Sequence, residues 1–267
     1  MKPTRRALAG LAFAAGLAAA VPALAQEVLR VGSYPANPPW EFKDEAGNFR
    51  GFEVDIVTEV ARRMGRSARI EGYDFRALFV ATASNRVDIV ISSLTITDER
   101  LESQSFTQPY VIGALGVGVR AGSPVAALSD LAGRTVGSIA TSFPENWVKE
   151  RQAELGIAEY KSYDTLANLL ADLANGRIDA AVNDVVGLRY AFAQMPGMAV
   201  PVEIETGERF AMMMPKNSPL LGEVNDHLSA MKTDGTMAEL YARWFGVAPA
   251  EGSVTLTPRP VPTPGNY

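Results

Sequence analysis

The sequence predicts an α/β fold of two similar lobes joined by two crossing strands, and three features support this. A helix end followed by a short strand at 85–90 (NRVDIV) recurs about 90 residues later at 175–182 (NGRIDAAV). Polar residues follow each copy at the strand end, where ligands collect in open α/β sheets. The segments 111–119 and 210–215 have the extended character needed to cross between lobes. The two sets of strand ends should therefore face each other across a crevice suited to a small ligand.

The stretch 88–100 (DIVISSLTITDER) carries the first candidate ligand site. A β-branched apolar run predicts a buried strand at its start, and Thr97 followed by two acids predicts a helix N-terminus. The loop between them supplies three hydroxyls, those of Ser92, Ser93 and Thr95. Hydroxyls and backbone amides can hold a small polar ligand, and Arg100 can bind a carboxylate through two parallel hydrogen bonds. The alternative is an ordinary junction whose hydroxyls cap the backbone and whose arginine pairs on the surface.

The pattern S-S-L-T-I-T-x-x-R in this stretch resembles the ligand-binding segment of family 3 of the bacterial extracellular solute-binding proteins. These are the polar amino-acid-binding proteins that serve ABC importers. The likeness runs from about Leu29 to Phe245 through VGSYPANPPWEF, GNFRGFEVDIVTEVARRMG, SFTQPY, LSDLAGRTVGS, NGRIDAAVND and DGTMAELYARWFG, in family order.

The resemblance implies the type II periplasmic-binding-protein fold and a division of the chain into lobes. Lobe 1 is expected at 26–112 and 207–247, and lobe 2 at 113–206. The implied function is a monomeric periplasmic protein that captures a polar amino acid or related zwitterion by lobe closure and delivers it to a membrane ABC permease. An alternative on the same fold is a periplasmic cyclohexadienyl (arogenate or prephenate) dehydratase.

The composition of the chain argues against functions that depend on cysteine or on a bound metal. The chain of 267 residues has no cysteine and a single histidine, which excludes disulfides and a cysteine nucleophile and disfavours a transition-metal site. We therefore expect no metal and no cofactor. A basic start, the apolar run 7–21 and Ala23-Leu24-Ala25 predict a signal peptide at 1–25. The mature protein should be soluble in the periplasm, without a lipid anchor because it lacks cysteine.

Charge argues against two kinds of partner. The signal peptide carries three of the 25 basic residues and none of the 30 acidic ones, so the mature net charge is 22 − 30 = −8. Such a balance disfavours nucleic acid and anionic membrane surfaces. It leaves local binding of an anion open.

Two further segments are predicted from periodicity and proline content. Apolar residues recur at helical spacing from 52 to 64, and the acids of that helix, Glu53 among them, are expected on its solvated side. Five prolines between 249 and 264 predict an extended C-terminal tail over 248–267.

Aromatic candidates for contact with the ligand follow the first predicted strand. The resemblance implies an aromatic residue at position 37 and commonly an acid at position 34, but this chain has Asn37 and Tyr34. Tyr34, Trp40 or Phe75 could supply the aromatic platform instead. Tyr34 and Trp40 could equally belong to the core.

The second lobe offers a loop and an acid. Family members usually have Gly-Thr-Thr or Gly-Thr-Ser where this chain has Ala140, Thr141 and Ser142, and the resemblance implies that this loop holds the ligand carboxylate. Asp184 aligns with the acid that binds the α-ammonium group, although it could also cap the following helix. The dehydratases have Glu at that position, so Asp184 favours binding, and no catalytic residue is expected.

Overall fold

The computed structural model of the protein describes residues 27–267, so the predicted signal peptide lies outside the described residues. The strands are β1 (Val28–Ser33), β2 (Ala36–Asn37), β3 (Glu41–Lys43), β4 (Phe49–Arg50), β5 (Ser67–Gly72), β6 (Ile89–Val90), β7 (Gln104–Phe106), β8 (Val111–Ile112), β9 (Leu115–Arg120), β10 (Thr135–Ile139), β11 (Glu159–Tyr163), β12 (Ala180–Asp184), β13 (Met198–Ile204), β14 (Arg209–Phe210) and β15 (Met213–Pro215).

Eight α-helices and one 3-10 helix occur in the same region. The α-helices are α1 (Phe52–Arg63), α2 (Phe75–Ala83), α3 (Asp98–Ser103), α4 (Phe143–Arg151), α5 (Leu166–Ala174), α6 (Val185–Phe192), α7 (Leu221–Thr233) and α8 (Thr236–Phe245), and the 3-10 helix is Leu128–Leu131. From residue 27 onward, no helix has the length and apolar character needed to cross a membrane.

Two five-stranded sheets have the same strand order and the same directions. The first runs β5-β1-β6-β15-β7, with β5, β1 and β6 parallel and β15 antiparallel to both neighbours. The second runs β11-β10-β12-β9-β13, with β11, β10 and β12 parallel and β9 antiparallel to both neighbours. Strands β6 and β12 hold equivalent places in the two sheets. The repeat recognised in the sequence is therefore a repeat of structure.

The chain passes between the sheets twice, through two short strands that pair with each other. Along the chain, β8 follows β7 of the first sheet and precedes β9 of the second. In the same way β14 follows β13 of the second sheet and precedes β15 of the first. Their antiparallel pairing places Arg209 opposite Ile112 and Phe210 opposite Val111. An isolated bridge also joins Phe210 to Thr95, which connects this crossing to the loop after β6. The arrangement confirms two α/β lobes joined by two crossing strands.

Helix α1 shows how the first lobe is packed and where the sequence-based expectation was wrong. Its apolar stripe, including Ile56 and Val60, is fully buried against the sheet. Glu53 was expected to be solvated, but it is also fully buried. Its two carboxylate oxygens accept hydrogen bonds from the amide of Ser93, and Oε1 also accepts one from the hydroxyl of Tyr110. A hydrogen-bonded carboxylate can thus occupy a position that periodicity assigns to solvent.

The C-terminal segment 248–267 has turns and one isolated bridge, and it packs on the first lobe. The Thr255 hydroxyl donates to the carbonyl of Tyr110 at 2.9 Å. Farther along, the amide of Arg259 donates to Oε1 of Gln108 at 2.9 Å, and the amide of Gly265 to Oδ1 of Asp98 at 2.7 Å. These bonds attach the segment to the residues that precede β8 and to the start of α3.

Candidate functional site

A cavity lies between the two lobes, beside the carboxyl ends of β1, β6, β10 and β12. It encloses about 60 Å³, whereas one water needs roughly 10–15 Å³ of such space. The lining includes nine of the twelve residues proposed from the sequence, which are Tyr34, Asn37, Phe75, Ser92, Ser93, Thr95, Arg100, Ser142 and Asp184. The strand ends therefore do meet around one site.

The loop after β6 is held in shape by buried acids. Ser93 has a left-handed backbone (φ 45°), and its amide donates to both oxygens of Glu53 at 2.9 Å. The Ser92 hydroxyl donates to Oε1 of Glu41 at 2.7 Å. The Thr95 hydroxyl donates to a carboxylate oxygen of Glu208 at 2.7 Å. These contacts fix the loop without help from bulk water.

Arg100 presents a buried guanidinium to the cavity. Its Nη1 donates to the carbonyl of Thr95 at 2.7 Å, and Nη2 reaches the carbonyl of Thr141 in the other lobe at 3.1 Å. Its Cζ lies 5.0 Å from the centre of the Phe79 ring. Burial lowers the pKa of Arg100 to about 10, and attraction to Glu208 opposes that shift. Arginine has five N–H donors, so it retains donors for an anion after these two bonds.

Asp184 lines the same cavity as Arg100 from the second lobe and caps α6, which is one of the two roles that the sequence left as alternatives. Its Oδ2 accepts from the amide of Gly187 at 2.6 Å, which caps α6, and from Nε1 of Trp40 at 2.8 Å. Its Oδ1 is buried and has no hydrogen-bond partner among residues 27–267. Burial raises the pKa of Asp184 to about 6, although its hydrogen bonds to Gly187 and Trp40 oppose the shift.

Comparisons with known proteins agree with this geometry. The sequence profile of the bacterial extracellular solute-binding proteins, family 3, matches residues 29–247. The chain belongs to this family. It is 31% identical over 223 residues to the L-cystine-binding protein TcyJ of Escherichia coli (strain K12), with 82% of each chain covered.

Solved structures similar to this solute-binding protein include two arginine-binding proteins. An ancestral arginine-binding protein bound to arginine is 33% identical with a TM-score of 0.79, covering 83% of this chain and 99% of that one. The arginine-, lysine-, histidine-binding protein ArtJ from Geobacillus stearothermophilus is 29% identical with a TM-score of 0.76, covering 84% and 97%. The type II periplasmic-binding-protein fold is thus confirmed. These relatives are binding proteins and give the dehydratase alternative no support.

In this solute-binding protein, Trp40 belongs to the core and does not line the cavity. It is 2% exposed, and its ring packs against Phe52, Phe210 and Phe245 at centroid distances of 6.0, 5.4 and 5.1 Å. The indole contributes to the site indirectly, through its hydrogen bond to Asp184. Only two of the three aromatic candidates, Tyr34 and Phe75, therefore remain at the cavity wall.

The loop after β10 also differs from expectation, because Ala140 and Thr141 lie outside the cavity lining. Thr141 has φ 64°, its amide donates to Oε2 of Glu145 at 2.6 Å, and its hydroxyl donates to the carbonyl of Ala140 at 2.6 Å. Its donors are thus satisfied within the second lobe. Ser142 lines the cavity, but its hydroxyl donates to Ile139 and caps α4.

Two buried acids at the cavity were missed in the sequence. Glu41 accepts from Asn37 at 3.3 Å as well as from Ser92, and burial raises its pKa well above the ordinary value. Burial likewise raises the pKa of Glu208 to about 7. Both residues are under 10% exposed. For Glu41 the available signal was a lone acid between two large aromatic residues, an unusual position for a solvated side chain.

Proposed function

We propose that this solute-binding protein captures an amino acid or related zwitterion between its lobes and presents it to a membrane ABC permease. The observation that carries the proposal is the buried Arg100 guanidinium, which shares one cavity with the unpartnered Oδ1 of Asp184. A guanidinium and a carboxylate across a small cavity complement the two charged groups of an amino acid. The names of the relatives, which specify cystine, arginine, lysine and histidine, support the same ligand class.

Each end of the ligand has a proposed partner. Arg100 binds the carboxylate together with the loop that contains Ser93 and Thr95. Asp184 accepts the α-ammonium group through Oδ1, because its other oxygen already holds α6 and Trp40. Tyr34, which follows β1, and Phe75, at the start of α2, contact the ligand side chain. Both residues belong to the first lobe.

Capture is coupled to closure because the site is built from both lobes. Hydrogen bonds between side chains or backbone groups far apart in the sequence already join the lobes: the Leu166 amide donates to the Tyr34 hydroxyl at 3.1 Å, Trp40 donates to Asp184, and Arg100 donates to Thr141. A ligand held by Arg100 and Asp184 adds contacts that are complete only in the closed form, so its binding shifts the population toward closure. We assign lobe 1 to 26–112 and 207–247, and lobe 2 to 113–206, with 248–267 as the tail.

We further propose that the protein acts in the periplasm as a monomer without a lipid anchor, and that it is not an enzyme. Export is supported by the predicted signal peptide, and the sequence contains no cysteine that could carry a lipid. Asp184 accepts hydrogen bonds from two fixed donors, which suits a stationary counter-ion for ammonium better than a proton donor.

Thermal-shift screening of refolded, ligand-stripped protein tests the proposal. The probes are the twenty standard amino acids, L-ornithine and L-cystine, and at least one should raise the melting temperature. Arg100→Ala should abolish that shift because the ligand carboxylate loses its counter-ion. Arg76→Ala removes a largely exposed arginine that lies outside the cavity lining and should retain the shift. Equal shifts in Arg100→Ala and the unsubstituted protein would refute the proposed site, provided circular dichroism shows both folded.

A further inference from the structure

One side of the cavity is formed by apolar side chains from both lobes. Tyr34 and Phe75 come from the first lobe, and Ile139 and Leu166 come from the second. Tyr34, Ile139 and Leu166 are 6%, 6% and 7% exposed. We call these four residues the apolar wall. It spans the gap between the lobes and therefore bounds the space left for a ligand side chain.

Tyr34 is held in the apolar wall at two points. Its amide donates to the hydroxyl of Ser92 at 3.2 Å, and its own hydroxyl accepts from the amide of Leu166 at 3.1 Å. Leu166 is the first residue of α5, and the amides of a first turn have no acceptor within their own helix. The Tyr34 hydroxyl therefore satisfies an amide of the opposite lobe, and the ring is fixed across the gap.

Phe75 connects the apolar wall to the cores of both lobes. In the first lobe it packs against the buried cluster that contains Tyr34 and Leu78, and in the second against the cluster that contains Ile139 and Leu166. Protein interiors are close-packed, so displacing one of these side chains disturbs its neighbours. Retracting the wall to admit a longer ligand would therefore cost packing in both lobes.

The size of the cavity fits a short ligand. It encloses about 60 Å³, which at roughly 10–15 Å³ for one water equals about four to six waters. Alanine, with about six non-hydrogen atoms, is of this size, whereas arginine has about twelve. Arg100 and Asp184 are proposed to hold the carboxylate and α-ammonium groups that every amino acid has. Little space then remains for a side chain.

We infer that the apolar wall restricts the cavity to amino acids with short side chains, and that Tyr34 is the specificity-determining residue that sets this limit. The inference rests on the proposed capture of an amino acid between the lobes. A longer side chain would overlap the Tyr34 ring or break its hydrogen bond to Leu166, and so would keep the lobes from closing. The ligands inferred are shorter than the arginine and cystine in the names of the relatives.

Isothermal titration calorimetry with L-alanine, L-2-aminobutyrate, L-norvaline and L-norleucine tests this inference, because each ligand differs from the one before by a single CH₂ group. In a cleft without the wall, each CH₂ that becomes buried should increase the affinity about 4-fold. The wall predicts the opposite order: affinity should fall along the series, and norleucine should bind at least about 10-fold more weakly than alanine. Norleucine or L-arginine binding as tightly as alanine would overturn the inference.

Substitution of Tyr34 gives a second readout. Tyr34→Ala removes the ring and should raise the norleucine-to-alanine affinity ratio about 10-fold or more. Tyr34→Phe keeps the ring and removes the hydroxyl, so it should weaken all four ligands by similar factors and leave their order unchanged. Tyr190→Ala removes an exposed tyrosine ring outside the cavity lining and should change neither the affinities nor their order. An unchanged ratio in Tyr34→Ala would overturn the role of Tyr34.

The second lobe offers a check that does not depend on changing Tyr34. Leu166→Ala shortens the apolar wall from the other side but keeps the backbone amide that donates to Tyr34. It should raise the norleucine-to-alanine affinity ratio about 10-fold. Circular dichroism shows whether each variant is folded. If Tyr34→Ala does not fold, Leu166→Ala decides, and an unchanged ratio there would overturn the limit set by the wall.

The two proposals fail in different ways. Tighter binding of norleucine, arginine or cystine than of alanine would leave the proposed function standing and remove only the limit on side-chain length. Failure of every amino acid tested to bind the refolded protein would remove both.

Discussion

Acidic residues of the cavity should make the ligand-free protein less stable as the pH rises from 5 to 7. Burial raises the pKa of Asp184 from 3.8 to about 6 and that of Glu208 from 4.5 to about 7. The folded state therefore binds more protons than the unfolded state in this window, and the free energy of unfolding falls as these protons are lost. Over the same window Lys232, whose pKa burial lowers to about 7, loses protons in the folded state but not in the unfolded state, and this opposes the decrease in stability.

The size of the effect follows from the two shifts. A folded-state pKa of about 6 for Asp184 lowers the free energy of unfolding by about 1 kcal/mol between pH 5 and 7. The corresponding value for Glu208 is about 2 kcal/mol. The loss of protons from folded Lys232 offsets roughly a few tenths of a kcal/mol of this loss in stability. We expect a net loss of at least about 3 kcal/mol of unfolding free energy, because buried Glu41, whose pKa is also raised, contributes in the same direction.

Urea unfolding at pH 5, 6 and 7, followed by tryptophan fluorescence, measures this loss. Glu208→Gln cannot ionise and should decrease the pH dependence by about 2 kcal/mol. Glu205→Gln changes an exposed neighbour and should leave the profile as it was. Stability that increases from pH 5 to 7, or a profile unaltered by Glu208→Gln, would refute the protonation states assigned to the cavity.

Two further predictions concern stability away from the titrating groups. Gly51→Ala should lower the unfolding free energy by about 3 kcal/mol or more, because φ is 136° and a Cβ would overlap the carbonyl oxygen of Trp40. Gly47→Ala, with φ 82° and open space around its Cβ position, should cost only about 1 kcal/mol in the same denaturant titration. Truncation after residue 247 should lower the melting temperature, because the bonds from Thr255, Arg259 and Gly265 are lost. A truncated protein with an unchanged melting temperature would show that these bonds contribute nothing to the fold.

Local sequence patterns predicted the fold because each lobe is built from a unit that the chain repeats. The apolar runs that precede Ser92 and Asn183 form β6 and β12, and both end at the cavity. The same logic placed Arg100 and Asp184 on opposite sides of one site. These residues lie directly after strands or at helix starts, where position along the chain determines position in space.

The parts that were missed depend on partners distant in sequence. Glu53 is buried because it bonds to Ser93 and Tyr110, 40 and 57 residues away. Trp40 joins the core because Phe210 and Phe245, from the far end of the chain, pack on its ring. Periodicity within one helix or strand contains no information about such partners.

The two lobes use the same device to prepare the site. In each lobe, one loop near Arg100 contains a residue with a left-handed backbone whose amide donates to a buried glutamate. In the first lobe Ser93 donates to Glu53, and in the second Thr141 donates to Glu145. Such a conformation costs about 1–3 kcal/mol for a residue with a side chain. A hydrogen bond from the amide to a carboxylate offsets a similar amount.

These left-handed loop conformations determine how the Arg100 guanidinium is oriented. The loops hold the carbonyls of Thr95 and Thr141 so that each accepts one bond from Arg100. Those two bonds, one from each lobe, fix the plane of the guanidinium and leave its other donors for the cavity. Orientation of Arg100 therefore depends on both lobes being in place, which explains in physical terms why recognition of a carboxylate and closure of the lobes should occur together.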